Sequence, residues 1–273
     1  MTLQNTIADL SARWGLIVAE PFPSTFGLPN NFLAPAVRAD GTAAVLKVSG
    51  YVSETQCEIA AMRAWNGNSA ARLLEADASI GALLLERVLP GTMLSSIEDD
   101  QAVQVSAEIL RLLWQPVPEN HGLRSLESWC DAFDRNRDAI YSGETGFPRA
   151  LFDRADALRA ELLASTDKPV ILHGDLHHFN VLRSDRARWL AIDPKGLYGD
   201  RHFDVCQFLR NPGPVSAASN RRRLDLFASE LPLDRQRLTA WCLVHAVLDA
   251  CWSFEEGRHF RRKLAYAEET LQY

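Results

Sequence analysis

Cysteine is scarce in this 273-residue chain: the five present (Cys57, Cys130, Cys206, Cys242 and Cys251) are odd in number, far apart and free of any CxxC pair. That pattern offers neither a disulfide framework nor a structural zinc site, and a reducing cytoplasm is the simplest compartment for it. The start, MTLQNTIADLSARWGL, lacks a basic segment followed by an apolar core, so no secretory leader is expected. A long apolar run is missing too, since the longest stretch, Trp241 to Trp252, is interrupted by His245 and Asp249. No repeat, low-complexity tract or Ser/Gly linker is present. Nor is there an excess of basic charge. The formal net charge of −6 repels nucleic acid and favours a cationic small molecule, although enzymes acting on neutral substrates are often as acidic. What is there, 47% hydrophobic residues, is enough to bury the core of one large domain or of two lobes.

Period and punctuation give the elements. Phe32 to Val37 and Thr42 to Val48 are extended runs separated by Ala39-Asp40-Gly41, and Asp-Gly between such runs predicts a hairpin with Lys47 near the end of its second strand. In SETQCEIAAMRAWNG, Ser53 with Gln56 reads as a capping box and Gly67 as a stop, which predicts a helix from Glu54 to Asn66. Ala82 to Val88 is a short apolar run broken by Pro90-Gly91, as in a buried strand that feeds an interlobe connection. Helical spacing then takes over in Ala102 to Trp114, Leu126 to Tyr141 and Arg149 to Ala164. It returns in Arg222 to Glu230, Asp234 to Glu256 and Phe260 to Leu271. The order predicts an α+β, bilobal fold, with a small β-rich N-terminal lobe over 1–89 and a larger, mainly helical C-terminal lobe over 90–273.

Asp175, Asn180 and Asp193 stand five and thirteen residues apart in HGDLHHFNVLRSDRARWLAID. The first two fall in a loop after the apolar run Val170-Ile171-Leu172, and Asp193 ends a second run, Trp189 to Ile192. Singly, each reads as a turn or structural polar residue. Together they set one carboxylate beside a reacting hydroxyl, and an amide and a second carboxylate as oxygen ligands for Mg2+ held against ATP phosphates. Lys47 on an alternating strand is by default a solvent-facing charge. Backed by a helix carboxylate it becomes a lysine for the α- and β-phosphates. Glu58 shares a helical face with Met62 and Trp65 and so turns inward, whereas its rival Glu54 sits in the first turn, where the helix dipole accounts for it. His173, His177 and His178 beside Asp175 offer a competing zinc or iron site, that of a metal-dependent hydrolase, but one that leaves Lys47, Glu58 and the spacing of the trio without a role.

The segments AAVLKVS (43–49), the Glu58 helix, ALLLERVLPGTML (82–94), LHGDLHHFNVL (172–182) and AIDPKGLYGDRHFDVCQFLRNP (191–212) resemble the aminoglycoside and hydroxyurea phosphotransferase group of the kinase-like superfamily, streptomycin 6-kinase-like proteins above all. The resemblance implies ATP and Mg2+ as cofactors and Asp175 as the catalytic base. It also implies Asn180 and Asp193 as magnesium ligands, Lys47 on the phosphates with Glu58 behind it, and the backbone of Glu86 and Val88 on the adenine. Asp200 and Asp204 match acidic positions that support the catalytic loop or meet substrate. Two features depart from protein kinases. No GxGxxG lies between the first strands, only Ser24-Thr25-Phe26-Gly27-Leu28-Pro29-Asn30-Asn31, so any phosphate cover there uses hydroxyls and backbone amides. Pro194-Lys195-Gly196 replaces Phe-Gly, and the stretch to Asp204 is too short for a phosphorylated activation loop.

Along the penultimate helix Trp241, His245, Asp249, Trp252 and Glu256 form one stripe beside the apolar stripe Leu243, Val244, Val247, Leu248 and Cys251. Aromatic and acidic groups suit an amine- or guanidinium-bearing sugar, which makes Asp249, Trp252 and Glu256 candidate acceptor residues; Trp in the core and acids at the solvent boundary is the competing reading. The sequence therefore points to an ATP- and Mg2+-dependent O-phosphotransferase acting on a small-molecule hydroxyl, an aminocyclitol such as streptomycin, with no nucleic-acid or membrane partner. Hydroxyurea or another metabolite is the rival acceptor. A nucleotide-binding pseudokinase is the rival of another class, and the intact set of Lys47, Asp175, Asn180 and Asp193 argues against it.

Overall fold

A computed structural model describes residues 2–23, 31–143, 146–213 and 215–271. Residues 24–30 of the expected phosphate-covering loop lie outside them. The N-terminal part is a five-stranded antiparallel sheet of β1 (Leu16–Val18), β2 (Asn31–Arg38), β3 (Ala43–Ser49), β4 (Leu73–Asp77) and β5 (Ala82–Glu86), in the order β1-β2-β3-β5-β4. The hairpin turn is the expected Asp40-Gly41: Gly41 takes φ +83° and the Asp40 carboxylate accepts from the Thr42 N–H at 2.9 Å.

Period-two alternation decides where Lys47 points. Ala44, Leu46 and Val48 of β3 face an outer core with Leu84 and with Leu10 of helix α1 (Leu3–Trp14), so Val45 and Lys47 must face the other way, into the molecule. Helix α1, β1 and β4 are elements to which the sequence reading assigned nothing. Helix α2 (Val52–Trp65) lies on the inner side. The capping box expected at its start does not form. The helix begins at Val52, so Ser53 lies inside its first turn, and the Gln56 amide donates to the Ala78 carbonyl at 3.2 Å.

The C-terminal part carries two three-stranded sheets. One is β6 (Pro90–Met93), β9 (Val181–Ser184) and β10 (Trp189–Ala191); the other is β7 (Arg124–Ser125), β8 (Val170–Leu172) and β11 (Leu197–Gly199). Around them pack α3 (Asp99–Leu113), α4 (Leu126–Trp129), α5 (Ala132–Tyr141), α6 (Arg149–Ala164), α7 (Cys206–Leu209), α8 (Ala217–Glu230), α9 (Arg235–Glu255) and α10 (Arg261–Thr270). The run read as one helix from Leu126 to Tyr141 is two. The Cys130 and Asp131 N–H groups bond back to the Glu127 and Ser128 carbonyls, a tight turn that ends α4 before α5 starts. Helix α9 packs against α5, α6 and α10, with Leu243, Val244, Val247, Leu248 and Cys251 in the core as its periodicity requires. No described helix is long and apolar enough to cross a membrane.

The two parts are stitched near the chain connection. Backbone bonds run from Ala71 N to Ala191 O and from Ala191 N to Ser69 O, both at 2.9 Å. Arg186, between β9 and β10, makes a two-pronged bond to the Glu86 carboxylate, 2.9 Å on each arm, and donates to the Gly67 and Ala70 carbonyls.

Candidate active site

Strand β8 delivers the chain into a loop, 173–180, that carries Asp175 and Asn180. Asp204 fixes the loop's shape. Its carboxylate, 1% exposed, accepts from the His173 N–H at 3.0 Å, the Gly174 N–H at 2.6 Å and the Trp114 indole at 3.1 Å. The His173 ring bridges the Asp175 N–H (3.3 Å) and the Ile192 carbonyl (2.9 Å), and burial pushes this imidazole down to about 3, so it works as a neutral spacer. The Asn180 amide donates to the Asp175 carbonyl at 3.0 Å, while the Ile192 N–H donates to the Asn180 carbonyl at 2.9 Å. The Lys195 N–H closes the circuit on the His173 carbonyl at 2.7 Å. The 173–180 loop and the 192–196 segment therefore form one hydrogen-bonded unit, and Asp175, Asn180 and Asp193 are carried on it together.

Lys47 reaches this unit from β3. Its ammonium donates to both oxygens of Glu58, at 2.9 and 2.7 Å, and to Asp193 Oδ1. Although burial works against its charge, the two carboxylates raise the Lys47 pKa above the ordinary lysine value. In the same way Lys47 and Lys195 outweigh burial at Asp193 and hold its carboxyl far below the usual range. Glu54, the rival to Glu58, is exposed and borders the cleft described below. Gly196 explains how α2 comes so close. At φ +64°, a Cβ built there would lie 2.0 Å from the Cys57 carbonyl oxygen and 2.9 Å from the Glu58 nitrogen, so only glycine lets the helix backbone rest on this segment.

Asp175 opens onto a cleft of about 590 Å³. Burial, above all, pushes its carboxyl up to about 6; Asp193 adds to the rise, while Lys195, Gln207 and Arg210 oppose it. Of the expected acceptor residues, Asp249, Trp252 and Glu256 line the cleft. Asp200 and Asp204 do not. Asp204 is consumed by the loop backbone, and Asp200 is a buried anchor for His202 (2.6 Å), Arg237 (2.5 Å) and the Trp241 indole (2.6 Å). That bond explains why Trp241, in the same sequence stripe as Trp252, is fully buried. Asp249 faces the cleft already neutralised: although burial favours its neutral form, Arg210 (2.6 Å) and Lys263 hold it down to about 2.

The sequence reading missed several lining residues: Arg124, Trp129, Arg135, Lys195, Gln207 and Arg258. Lys195 stood in a segment already singled out, whereas Trp129 and Arg135 come from α4 and α5, and no local pattern marks which face of a helix meets a cleft built by distant elements. The Trp129 and Trp252 rings meet edge to face at 5.1 Å, forming an aromatic corner. Several lining charges are paired, Arg135 with Glu255 at 2.9 Å, Arg258 with Glu256, and Asp249 as above, and the carboxylates Glu54, Asp175, Asp249 and Glu256 are matched in number by Arg124, Arg135, Lys195 and Arg258. The cleft therefore lacks the surplus of negative charge expected of a polycation site.

The donor set fits a hard divalent cation. The Asn180 side-chain oxygen has no partner among the described residues, and the Asp193 side chain is 42% exposed. One carbonyl and one carboxylate are what Mg2+ takes when phosphates and water complete its shell. The competing histidine site is not assembled: no group of three or more His, Cys, Asp or Glu is placed to hold a metal among the described residues. His178 is stacked on Phe208 at 4.0 Å and His173 is committed as described.

Comparison with known proteins gives concordant results. The sequence profile of the family described as aminoglycoside/hydroxyurea antibiotic resistance kinase matches residues 22–257. A hydroxyurea phosphotransferase from Kitasatospora aureofaciens is 38% identical over 98% of this chain and 79% of its own length. A streptomycin 6-kinase from Streptomyces glaucescens is 36% identical over 83% of this chain and 76% of its own. Among solved structures, the choline kinase LicA from Streptococcus pneumoniae superposes over 100% of both chains with a TM-score of 0.72 at 15% identity, a likeness of fold.

Proposed function

Because this chain belongs to the aminoglycoside/hydroxyurea antibiotic resistance kinase family, we propose that it moves the γ-phosphoryl group of ATP to a hydroxyl of a small molecule, an aminoglycoside or aminocyclitol antibiotic such as streptomycin. The observation that carries this reading is the convergence of Lys47, from the N-terminal sheet, with Asp175, Asn180 and Asp193 of one hydrogen-bonded unit, whose Asp175 lines a cleft large enough for an acceptor. In this reading 1–89 is the nucleotide-binding lobe and 90–273 the catalytic and acceptor-binding lobe. The Glu86 side chain is turned to Arg186 and its N–H donates to the Arg72 carbonyl at 2.8 Å, so in this reading its carbonyl meets the adenine, together with the neighbouring Val88 N–H, which has no partner among the described residues.

Each residue then has a task. Asp175 accepts the proton of the attacking hydroxyl or orients it, Lys47 holds nucleotide phosphates, and Glu58 keeps Lys47 in place. Asn180 and Asp193 would hold Mg2+, which when bound neutralises charge on the phosphates. The oxygen of the acceptor bonds to the γ-phosphorus as the bond from that phosphorus to the bridging oxygen breaks, and ADP leaves with the electron pair.

A second reading is favoured by the charge-paired cleft: a small neutral acceptor of the hydroxyurea type, the named substrate of a relative that aligns with 98% of this chain. A coupled ADP-release screen of aminoglycosides, hydroxyurea and amino-sugar metabolites tests both. Turnover with streptomycin supports the first and turnover with hydroxyurea alone the second, while no acceptor-dependent ADP release from any of them would sink the phosphotransferase reading for these classes.

A further inference from the structure

Two lysines border the Asp175 and Asp193 carboxylates, and they are not equivalent. Lys47 is fully engaged by Glu58 and Asp193, and the next cation, Arg210, is engaged by Asp249 at 2.6 Å, Gln207 at 2.8 Å and His245 at 2.9 Å. Lys195 is different. Its nearest ionic partner is Asp175 Oδ2 at 3.8 Å, beyond hydrogen-bond reach, and its ammonium makes no hydrogen bond among the described residues. Its side chain is only 30% exposed and borders the cleft beside Asp175.

Asp193 and Asp175 outweigh burial and keep this ammonium charged, yet neither takes a hydrogen bond from it, so its donors are left facing the cleft. Its backbone is pinned. Lys195 N–H donates to the His173 carbonyl at 2.7 Å, Arg124 N–H donates to the Gly196 carbonyl at 3.1 Å, and Gly196 rests on α2. The side chain is therefore aimed by a rigid segment rather than by a loop free to carry it elsewhere. Position, charge and open donors together suit an anion that arrives between Asp175 and Asp193.

We propose that Lys195 is a further catalytic residue, whose ammonium donates to the equatorial oxygens of the phosphoryl group as it crosses from ATP to the acceptor hydroxyl bound against Asp175. This rests on the phosphotransferase reading above. Lys195 changes no bond of its own. The hydroxyl proton goes to Asp175, the oxygen–phosphorus bond forms as the bridging bond breaks, and Lys195 stabilises charge that is largest in mid-transfer. It is thus the acceptor-side counterpart of Lys47, which serves the phosphates that remain with the nucleotide.

The test compares wild type with Lys195→Met and Lys195→Arg in the full-length protein, using the acceptor that wild type turns over. Loss of one donor aimed at transition-state charge lowers kcat by about 10²–10³-fold. The KM values for ATP and acceptor should stay within about threefold, because the donors are wanted only in the transition state. Calorimetry supplies the readout besides turnover. Lys195→Met should bind MgADP as wild type does, but should lose at least tenfold in the extra affinity that aluminium fluoride and acceptor add to MgADP. Lys195→Arg should recover at least tenfold of the kcat loss. The inference is overturned if Lys195→Met keeps kcat within threefold. It is overturned equally if MgADP and the aluminium fluoride complex weaken in parallel, as a merely structural lysine would give. Failure here is distinguishable from failure of the reading beneath it: an active wild type that is abolished by Asp175→Ala but unaffected by Lys195→Met sinks Lys195 alone.

Discussion

At the scale of single residues, the proposed chemistry rests on carboxylates that share a neighbourhood and differ in how readily they ionise. Asp175, pushed up to about 6 by burial, must be ionised to accept a proton, so kcat/KM for the acceptor should fall as pH drops through about 6 and level off above it. A pH–rate profile flat between 5 and 7 would remove Asp175 from the base role. Asp193 stays ionised throughout this range, so Asp193→Ala should abolish Mg2+-dependent nucleotide binding, measured by calorimetry with and without the metal, rather than shift the profile. Asp204 was expected to support the loop or meet substrate, and its position leaves it the supporting task. Asp204→Ala strands two buried backbone N–H groups and an indole N–H, and should cost about 3 kcal/mol in chemical denaturation. A loss under 1 kcal/mol would mean that the loop holds its shape without it.

At the scale of elements, long periodic helices and the Asp-Gly hairpin were legible in the sequence because their signals are local. Arg149–Ala164 is found where its spacing put it, and β2 and β3 within a residue or two. Helix α1 was not, and its packing on the outer sheet face through Leu10 is a tertiary fact that strand alternation alone does not announce. The same limit applies to the cleft. Trp252 could be picked from a stripe on one helix, but its partner Trp129 lies on a four-residue helix, far too short to show a period. Gly196 shows how one position sets an element. Gly196→Ala forces a Cβ against the α2 backbone at an unfavourable φ, which should move α2 and Glu58 away from Lys47. The expected outcome is a loss of about 2 kcal/mol or more in stability together with a raised KM for ATP. A fully stable, fully active variant would show that α2 does not depend on this contact.

At the scale of the whole molecule, the two parts must keep their relation for Lys47 to meet Asp193, and the structure fixes that relation at the edge nearest the connection. Arg186 bonds both oxygens of Glu86 and two carbonyls of the 67–70 turn from a hairpin of the other part. Arg186→Ala should therefore cost about 2 kcal/mol and raise KM for ATP more than KM for the acceptor. The central claim is that four side chains converge on a terminal phosphate with Asp175 facing the acceptor. It is tested most directly by acceptor-dependent ADP release from Asp175→Asn, with ATP affinity measured on the same sample. The expected kcat is lowered about 10²–10⁴-fold, with the Kd for ATP within threefold of wild type. Turnover within a few-fold of wild type would contradict it.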